Sequence, residues 1–525
     1  MMTAGRGEVR HAARNAAVAK RDFSEHEASM KVLFVHSEED AFSPEKPLEI
    51  QERVQFGISY ISSMLKREGH RTDLVVLCRE TPHLLEEYIE SFDPAMVCFT
   101  SVYAEYRFIS RVIAETKRRH PELFLVLGGA HASLNPDGCM EETPLDAVCV
   151  GEGEYPALEL AEQLEAGGWP SAIPNLYIRR PGGGVERNAP RPFLEDLDSL
   201  PFPDRDMWDP WVADPYSRPS VLVGRGCPFR CTYCCNHAFR KAAPGRYVRV
   251  RSPRNITEEL ASMKEKNPHF AEVYLEVETL GAKQEWALEL CAELRRLNER
   301  LEIPLAFGAN LRVTPNADYE GLFAAFAESN FRFVNIGLES GSERVRREVL
   351  KRIYSNEDIL RTVRTARKYG LQVGTYNLIG LPGETPRDFR ETVRLNRACQ
   401  PDWFLLAVFF PYPGTELYER CREEGLLRQD PDPSLERRKP ALSLPDFPKW
   451  RVAILRAWFP FLIYRGYRPL KECLWLVAMA VLYSHRFMIR LHRALKSGRP
   501  GRKKLSWPRR TVEGDGWDSV KVEER

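Results

Sequence analysis

From Met30 onward, short apolar runs alternate with amphipathic stretches. "KVLFVHS" predicts a strand from Lys31 to His36, and "GISYISSMLKREGH" predicts a helix that stops at Gly69. "RTDLVVL" predicts a second strand, and "LLEEYIESFDP" a helix ended by Pro94. "AMVCFTS" is a third strand, followed by the helical "YRFISRVIAETKRRHP", whose basic residues gather at its C-terminal end. "LFLVLGG" and "AVCVGEGE" complete a set of five strands. Strands that alternate with helices imply βαβ units and a buried parallel sheet. Right-handed crossovers then give a doubly wound, Rossmann-like α/β unit over residues 30–165.

Such sheets bind ligands beyond the carboxyl ends of their strands. Here those ends read His36-Ser37, Thr100-Ser101, Gly128-Gly129-Ala130-His131 and Gly151-Glu152-Gly153-Glu154. Glycine at such ends lets a large ligand approach the backbone; ordinary strand-to-helix turns would also carry it. Residues 166–217, rich in Pro, Gly and charge, read as a linker. It holds a small hairpin, "NLYIRRPGGGVERN", and an extended connector ending near Asp206.

A new unit begins at "SVLVGRG", a buried strand with Cys227 at its C-terminal end. Cys231 and Cys234 follow in C-x3-C-x2-C spacing, with Cys235 adjacent. The N-terminal "MMTAGRGEVRHAARNAAVAKRDFSEHEAS" has no apolar segment of the secretory kind and reads as a flexible tail over 1–29. The expected setting is therefore a reducing cytosol, where clustered thiols bind metals rather than form disulfides. Two metals suit thiolates. Zinc would use these three cysteines with Cys235 or His237, although structural zinc sites usually take two separated pairs. An iron–sulfur cube normally takes four thiolates, and three would leave one iron open.

The motif, with Tyr233 before its last cysteine, resembles the radical S-adenosylmethionine (SAM) superfamily. Later segments carry the same resemblance. "ANLRVTPNAD" holds Arg312, and "FRFVNIGLESGSERVRREVLKR" holds Glu339 and Ser340. "YNLIGLPGETPRDF" holds Gly380, Pro382, Gly383 and Glu384, and "FFPYPGTELYERCREEGLL" closes the unit. The resemblance covers about residues 218–428 and implies a partial (β/α)6 barrel with its cofactors at the C-terminal ends of the strands. It implies a 4Fe–4S cluster on Cys227, Cys231 and Cys234, with SAM at the open iron. Tyr233, Arg312, Glu339, Ser340, Gly380 and Pro382 would then lie around these cofactors. Relatives often carry paired aspartates or G-G-E on the second strand. This chain has "AEVYLEVETLG", with Glu276 and Glu278 expected on one face. Glu278 is the candidate for the SAM amino group.

"LGGAHAS" and "VGEGE" make the first unit resemble the cobalamin-binding domain that precedes many radical SAM enzymes. Thr100, Ser101, Gly128, Gly129, His131, Gly151, Glu152 and Gly153 would then face cobalamin. The chain lacks the D-x-H-x-x-G motif whose histidine ligates cobalt in other cobalamin proteins. Neither His36 nor His131 is assigned that role. The combined resemblance implies a methylase: a 5′-deoxyadenosyl radical activates a carbon, and methylcobalamin supplies the methyl group. An oxidative cyclase of the porphyrin type is the runner-up. In a third reading the first unit no longer binds cobalamin and only docks a partner. A flavodoxin or ferredoxin would supply electrons.

The remaining segment, 429–525, changes the picture through its charge. From Lys449 to Arg510 there are 16 Lys and Arg against one acid, Glu472, a charge of +15 that leaves −13 for the rest of a +2 chain. The apolar run Cys473–Tyr483 is too short for a membrane span of about 20 residues. Basic helices with interleaved Trp and Tyr are expected to cap the barrel and to touch anionic membrane from a cytoplasmic position, at the inner membrane face. A hydrophobic small-molecule substrate fits that setting. Nucleic acid, the other polyanion a basic flank could bind, is disfavoured.

Overall fold

The computed structural model describes residues 30–482 apart from 40, 42, 52, 53, 215–217, 428 and 437. The tail over 1–29 and the basic segment beyond 482 lie outside the described residues. In chain order the first strands are β1 (Lys31–Ser37), β2 (Leu48–Ile50), β3 (Arg71–Leu77), β4 (Met96–Thr100), β5 (Phe124–Gly128), β6 (Ala147–Cys149), β7 (Leu176–Arg179), β8 (Val185–Arg187) and β9 (Val212–Asp214). They are followed by β10 (Ser220–Leu222), β11 (Gly224–Arg225), β12 (Arg249–Val250), β13 (Glu272–Glu276), β14 (Ala306–Leu311), β15 (Phe331–Glu339), β16 (Gln372–Ile379) and β17 (Trp403–Val408).

The first sheet has the order β3-β1-β4-β5-β6-β7-β8. Val32, Leu33, Phe34 and Val35 of β1 are all buried, so both faces of the sheet are covered, as the unbroken apolar run predicts. β1 pairs in parallel with β3 on one side and β4 on the other. The winding direction reverses between β1 and β4, which opens a crevice at their carboxyl ends.

The segment read as a linker, beyond the boundary at 165, adds strands to this sheet. The hairpin β7–β8 lies antiparallel against β6, with Cys149 opposite Leu176 and Ala147 opposite Ile178. Leu176 and Ile178 are buried while Tyr177 and Arg179 are half-buried, the alternation of a strand covered on one face. The connector is bound too. Trp208 and Trp211 lie in the first core, and their indole N–H groups donate to Ser59 Oγ (2.8 Å) and the Leu74 carbonyl (3.2 Å). β9 then pairs with β2 across the outside of the unit.

The second sheet, β10-β13-β14-β15-β16-β17, is parallel throughout and has two free ends, an open partial barrel. Its helices start where the sequence caps them. Ser355 and Thr385 form capping boxes with Asp358 and Asp388. "SVLVGRG" is not one strand. It breaks at Val223, and β11 turns away to pair antiparallel with β12. Gly226 allows this path: it has φ +81, and a Cβ would lie 2.3 Å from the Tyr247 carbonyl oxygen.

The N-terminal mouth of the barrel is plugged. Arg218 lies 5.0 Å over the Phe333 ring, which stacks on Tyr274 and meets the edge of Trp403 at 5.3 Å. Trp403 also donates to Asn335 Oδ1 at 3.0 Å. Access is left to the C-terminal ends of the strands, where the cysteines lie. Helices Lys449–Tyr464 and Leu470–Leu482 pack on the outside, burying Phe459, Ile463 and Cys473 in one core with Phe389 and Ile379. These are the capping helices the sequence predicts.

Candidate active site

The cysteine loop follows the β10–β11 break. Cys231 is buried, and Cys227 and Cys234 are half-buried. Burial pushes the Cys227 thiol up to about 11, and burial raises Cys234 as well. Arg312 lies against the third cysteine: its Nη1 donates to Cys231 Sγ at 2.7 Å, and its guanidinium lies 3.7 Å over the Phe229 ring. Asn236, unremarked in the sequence, ties the loop together. Its Nδ2 donates to Cys234 Sγ (3.6 Å) and Glu278 Oε1 (3.1 Å), and its Oδ1 accepts from the Tyr247 hydroxyl (2.6 Å). Glu278 lies beyond the end of β13, while Glu276 is its last residue. Cys235 flanks the short helix Asn236–Phe239.

Behind Tyr233 sits a second feature that sequence reasoning missed. Arg352 donates to the Tyr233 hydroxyl (2.8 Å), the Tyr354 hydroxyl (3.1 Å) and the Gly337 carbonyl (3.0 Å), and pairs with Glu339 at 3.1 Å. Glu339 adopts φ +61, a strained conformation for a residue with a side chain, held by this buried pair. Nothing in the local sequence marks Arg352, because its partners come from three separate segments.

Ser340 and Gly380 make contacts of another kind. Ser340 is fully buried, and its hydroxyl accepts from Ser342 N (3.2 Å) beside Thr392. Gly380 donates to Glu384 Oε2 (2.6 Å) and sits against Val452 of the C-terminal helix. Pro382 is buried in the same turn. Burial moves the Glu384 carboxyl up to about 8. These residues shape the rim of the barrel by holding its turns.

In the first unit the expected residues gather at the β1/β4 crevice. The backbone N–H of His131 donates to the Ser101 carbonyl (3.0 Å), and that of Ser101 to the Gly128 carbonyl (3.2 Å). A Cβ at Gly129, φ +93, would lie 2.7 Å from Thr100 Oγ1, so only glycine lets this turn lie flat on the end of β4. Gly151 donates to Ser133 Oγ at 2.9 Å. The His131 ring packs 4.1 Å from Tyr106, and its buried Nε2 has no partner. Burial lowers His131 and His36 to about 4, so both are neutral at pH 7.

Two residues expected at the crevice, Glu152 and Gly153, make their contacts elsewhere in this structure. Glu152 accepts from Arg225 (2.9 Å), Arg249 (2.9 Å) and Leu194 N (2.9 Å). Burial works against its charge, but the two arginines outweigh burial and hold the carboxyl below its ordinary range. Glu154 accepts from the other arm of Arg225 at 2.6 Å. These pairs join the first unit to the barrel two residues before Cys227. Gly153 faces helix Phe56–Arg67, where a Cβ would meet Ile61 at 2.9 Å.

A three-cysteine loop at the open end of a partial barrel, joined to a doubly wound unit, defines a radical SAM enzyme of the cobalamin-binding kind. The chain belongs to that family. Residues 221–395 match the Radical SAM superfamily model and residues 52–161 the B12 binding domain. An uncharacterized methyltransferase of Pyrococcus horikoshii, PH0819, is 30% identical over 71% of this chain and 79% of its own length. The anaerobic magnesium-protoporphyrin IX monomethyl ester cyclase of Rubrivivax gelatinosus is 25% identical over 70% of this chain and 66% of its own. Hopanoid C-3 methylase of Methylococcus capsulatus is 26% identical over 74% and 72%. The fold is shared with the radical SAM methyltransferase TsrM from Kitasatospora setae, solved with cobalamin and a [4Fe-4S] cluster, at TM-score 0.60, 20% identity and coverage of 77% and 79%.

The cofactors are therefore a 4Fe–4S cluster, SAM and cobalamin, and the residues fit them. Among the described residues no three Cys, His, Asp or Glu side chains converge as they would on a single metal ion. Thiolates on a cube bind separate irons and need not converge. The unpartnered His131 Nε2 and the flat Gly128-Gly129 turn suit a broad ligand rich in polar groups.

Proposed function

We propose that this enzyme methylates an unactivated carbon of a hydrophobic, lipid-like substrate. The observation that carries the reading is the ion cluster Glu152–Arg225–Arg249, which fixes the crevice unit to the loop that holds the cysteines. Bound there, SAM and the cluster supply a carbon-centred radical and cobalamin supplies a methyl group. The chain's own part is position and shielding. Cys227, Cys231 and Cys234 would hold the cluster, with Arg312 donating to Cys231. Glu278, bonded to Asn236, would accept the SAM amino group. Glu339 and the Gly380–Pro382 turn would help to hold SAM at the rim of the barrel. Thr100, Ser101, Gly128, Gly129, His131 and Gly151 would hold cobalamin. The plugged barrel excludes water from below.

Anaerobic turnover with deuterated-methyl SAM, reductant, cobalamin and cell extract tests the reading. A product carrying the labelled methyl is expected by mass spectrometry. 5′-Deoxyadenosine without any labelled product would favour ring closure, the chemistry named for the Rubrivivax relative. Protein that binds the cluster but no corrinoid would favour a docking role for the first unit.

The hydrophobic substrate reading draws support from the C-terminal helices. Trp450, Ile454 and Trp458 recur every four residues and are exposed, as are Leu470, Leu474 and Trp475 on the next helix. Arg451, Arg465 and Lys471 are exposed beside them. Among the described residues no helix is long and apolar enough to cross a membrane. An apolar face with basic flanks suits one that lies on an anionic bilayer. The intact chain is expected to float with vesicles containing anionic lipid at moderate salt, and Trp450→Ser with Trp458→Ser to reduce the bound fraction at least fivefold. Equal flotation of both proteins would remove the membrane contact.

A further inference from the structure

The cluster must receive an electron from outside, and the surface around the cysteine loop is unevenly charged. From Pro215 to Thr257 the sequence holds nine Lys and Arg and no acid. Five of these have interior roles or acid partners. Arg218 plugs the barrel, Arg225 and Arg249 hold Glu152, Arg251 pairs with Glu259, and Arg254 pairs with Glu258. The other four are Arg230, Arg240, Lys241 and Arg246, and among the described residues no acid lies within ion-pair distance of them. Arg240 donates to the Cys227 carbonyl at 2.8 Å. Arg230, Lys241 and Arg246 are exposed.

Arg240 and Arg246 line an open cleft of about 410 Å³ together with Pro228, Tyr247 and Lys283, and the exposed Arg230 and Lys241 lie in the same loop. Lys283 belongs to the same lining, and burial, then the like charge of Arg246, lowers its pKa. Two cations therefore line a cleft whose wall includes Pro228, the residue next to Cys227. The loop's other sides are covered. Arg225 binds the first unit, and Arg312 covers Cys231. Thr232 bonds to Val349 and Leu417, and Glu416 N donates to His237 Nε2. The basic cleft lies on a side of the loop that none of these contacts covers.

We propose that this cleft, with Arg230, Lys241, Arg246 and Lys283 around it, is the docking face for a small acidic redox protein that delivers the electron. The proposal rests on the cluster assignment above. One electron leaves the reduced carrier and enters the oxidised cluster, so the carrier is oxidised by one and the cluster reduced by one, with no bond made or broken. The chemistry of the face selects the partner. Fixed cations without counter-ions attract an acidic surface and raise its encounter rate. A small, polar contact also suits a carrier that must leave after each delivery, as weak redox encounters do.

The test uses the full, cluster-loaded chain and a purified bacterial flavodoxin in its fully reduced form. Stopped-flow absorbance reads bleaching of the cluster, and biolayer interferometry reads binding. Lys241→Glu with Arg246→Glu is expected to slow bleaching and weaken binding by about tenfold or more at low salt, since charges at the rim of an interface act chiefly on association. Lys283→Glu alone should act in the same direction. The difference should shrink at high salt, where exposed charges are screened. Dithionite, too small to need a docking face, should bleach wild type and variants at one rate. Equal flavodoxin rates for all proteins would overturn the proposal, as would variants slowed equally with dithionite. So would loss of anionic-vesicle binding in the double variant with flavodoxin rates unchanged, which would assign the face to lipid. If dithionite yields no 5′-deoxyadenosine from the wild type, the cluster reading itself fails, a result distinct from failure of the docking face.

Discussion

Cys231→Ala is expected to abolish cleavage of SAM, with a loss of at least a thousandfold in 5′-deoxyadenosine formed. Cys231 is the most enclosed of the three ligands and the one Arg312 addresses. Its removal takes away a thiolate and leaves the guanidinium without that acceptor. A cube held by two protein thiolates is short of the ligands it needs. Iron and sulfide per chain should fall after anaerobic reconstitution, and the broad visible absorbance of the cluster should fall with them. Cys235→Ala, one residue beyond the motif, should keep both. If Cys231→Ala still cleaves SAM at the wild-type rate, the assignment of the loop is wrong. Circular dichroism of the metal-free protein separates this from misfolding, because the expected defect is confined to the loop.

Arg225→Leu is expected to destabilise the molecule by about 3–5 kcal/mol, the scale seen when one partner of a buried ion pair is removed. The value comes mainly from what remains. Glu152 keeps Arg249, but the buried Glu154 loses its arginine and its charge stays away from water. Arg225→Leu with Glu154→Leu should recover a large part of the loss, because the stranded carboxylate is then gone. Calorimetry of the metal-free chain reads both. The single variant should also shift cobalamin binding and cluster reconstitution together, since Arg225 belongs to the strand that leads into Cys227 and holds the first unit. A Tm equal to wild type would show that the network carries no stability.

Much of this was legible because it is local. The cysteine spacing and the unbroken apolar strands are fixed by neighbours a few residues apart. What escaped was assembled from distant pieces. Glu152 sits in a glycine-rich turn that looks like a ligand loop, and only the fold brings Arg225 and Arg249 to it. Arg352 is one basic residue among many until Tyr233, Gly337 and Glu339 surround it. The hairpin at Leu176–Arg187 looked like linker because Pro and Gly flank it. Its pairing with β6 depends on a strand that precedes it by a whole helix. Asn236 has no motif of its own, since amides are common in loops and its three partners are scattered.

The two tryptophans at 208 and 211 have a consequence for anyone who wishes to excise the corrin-binding half. A fragment cut at Glu165 would lose the pair of indoles and the β7–β8 hairpin that ends its sheet, and β6 would present bare backbone to its neighbours. Cutting after Asp214 instead keeps every side chain that seals that interior. The natural seam of the molecule therefore falls about fifty positions later than its glycine and proline content suggests.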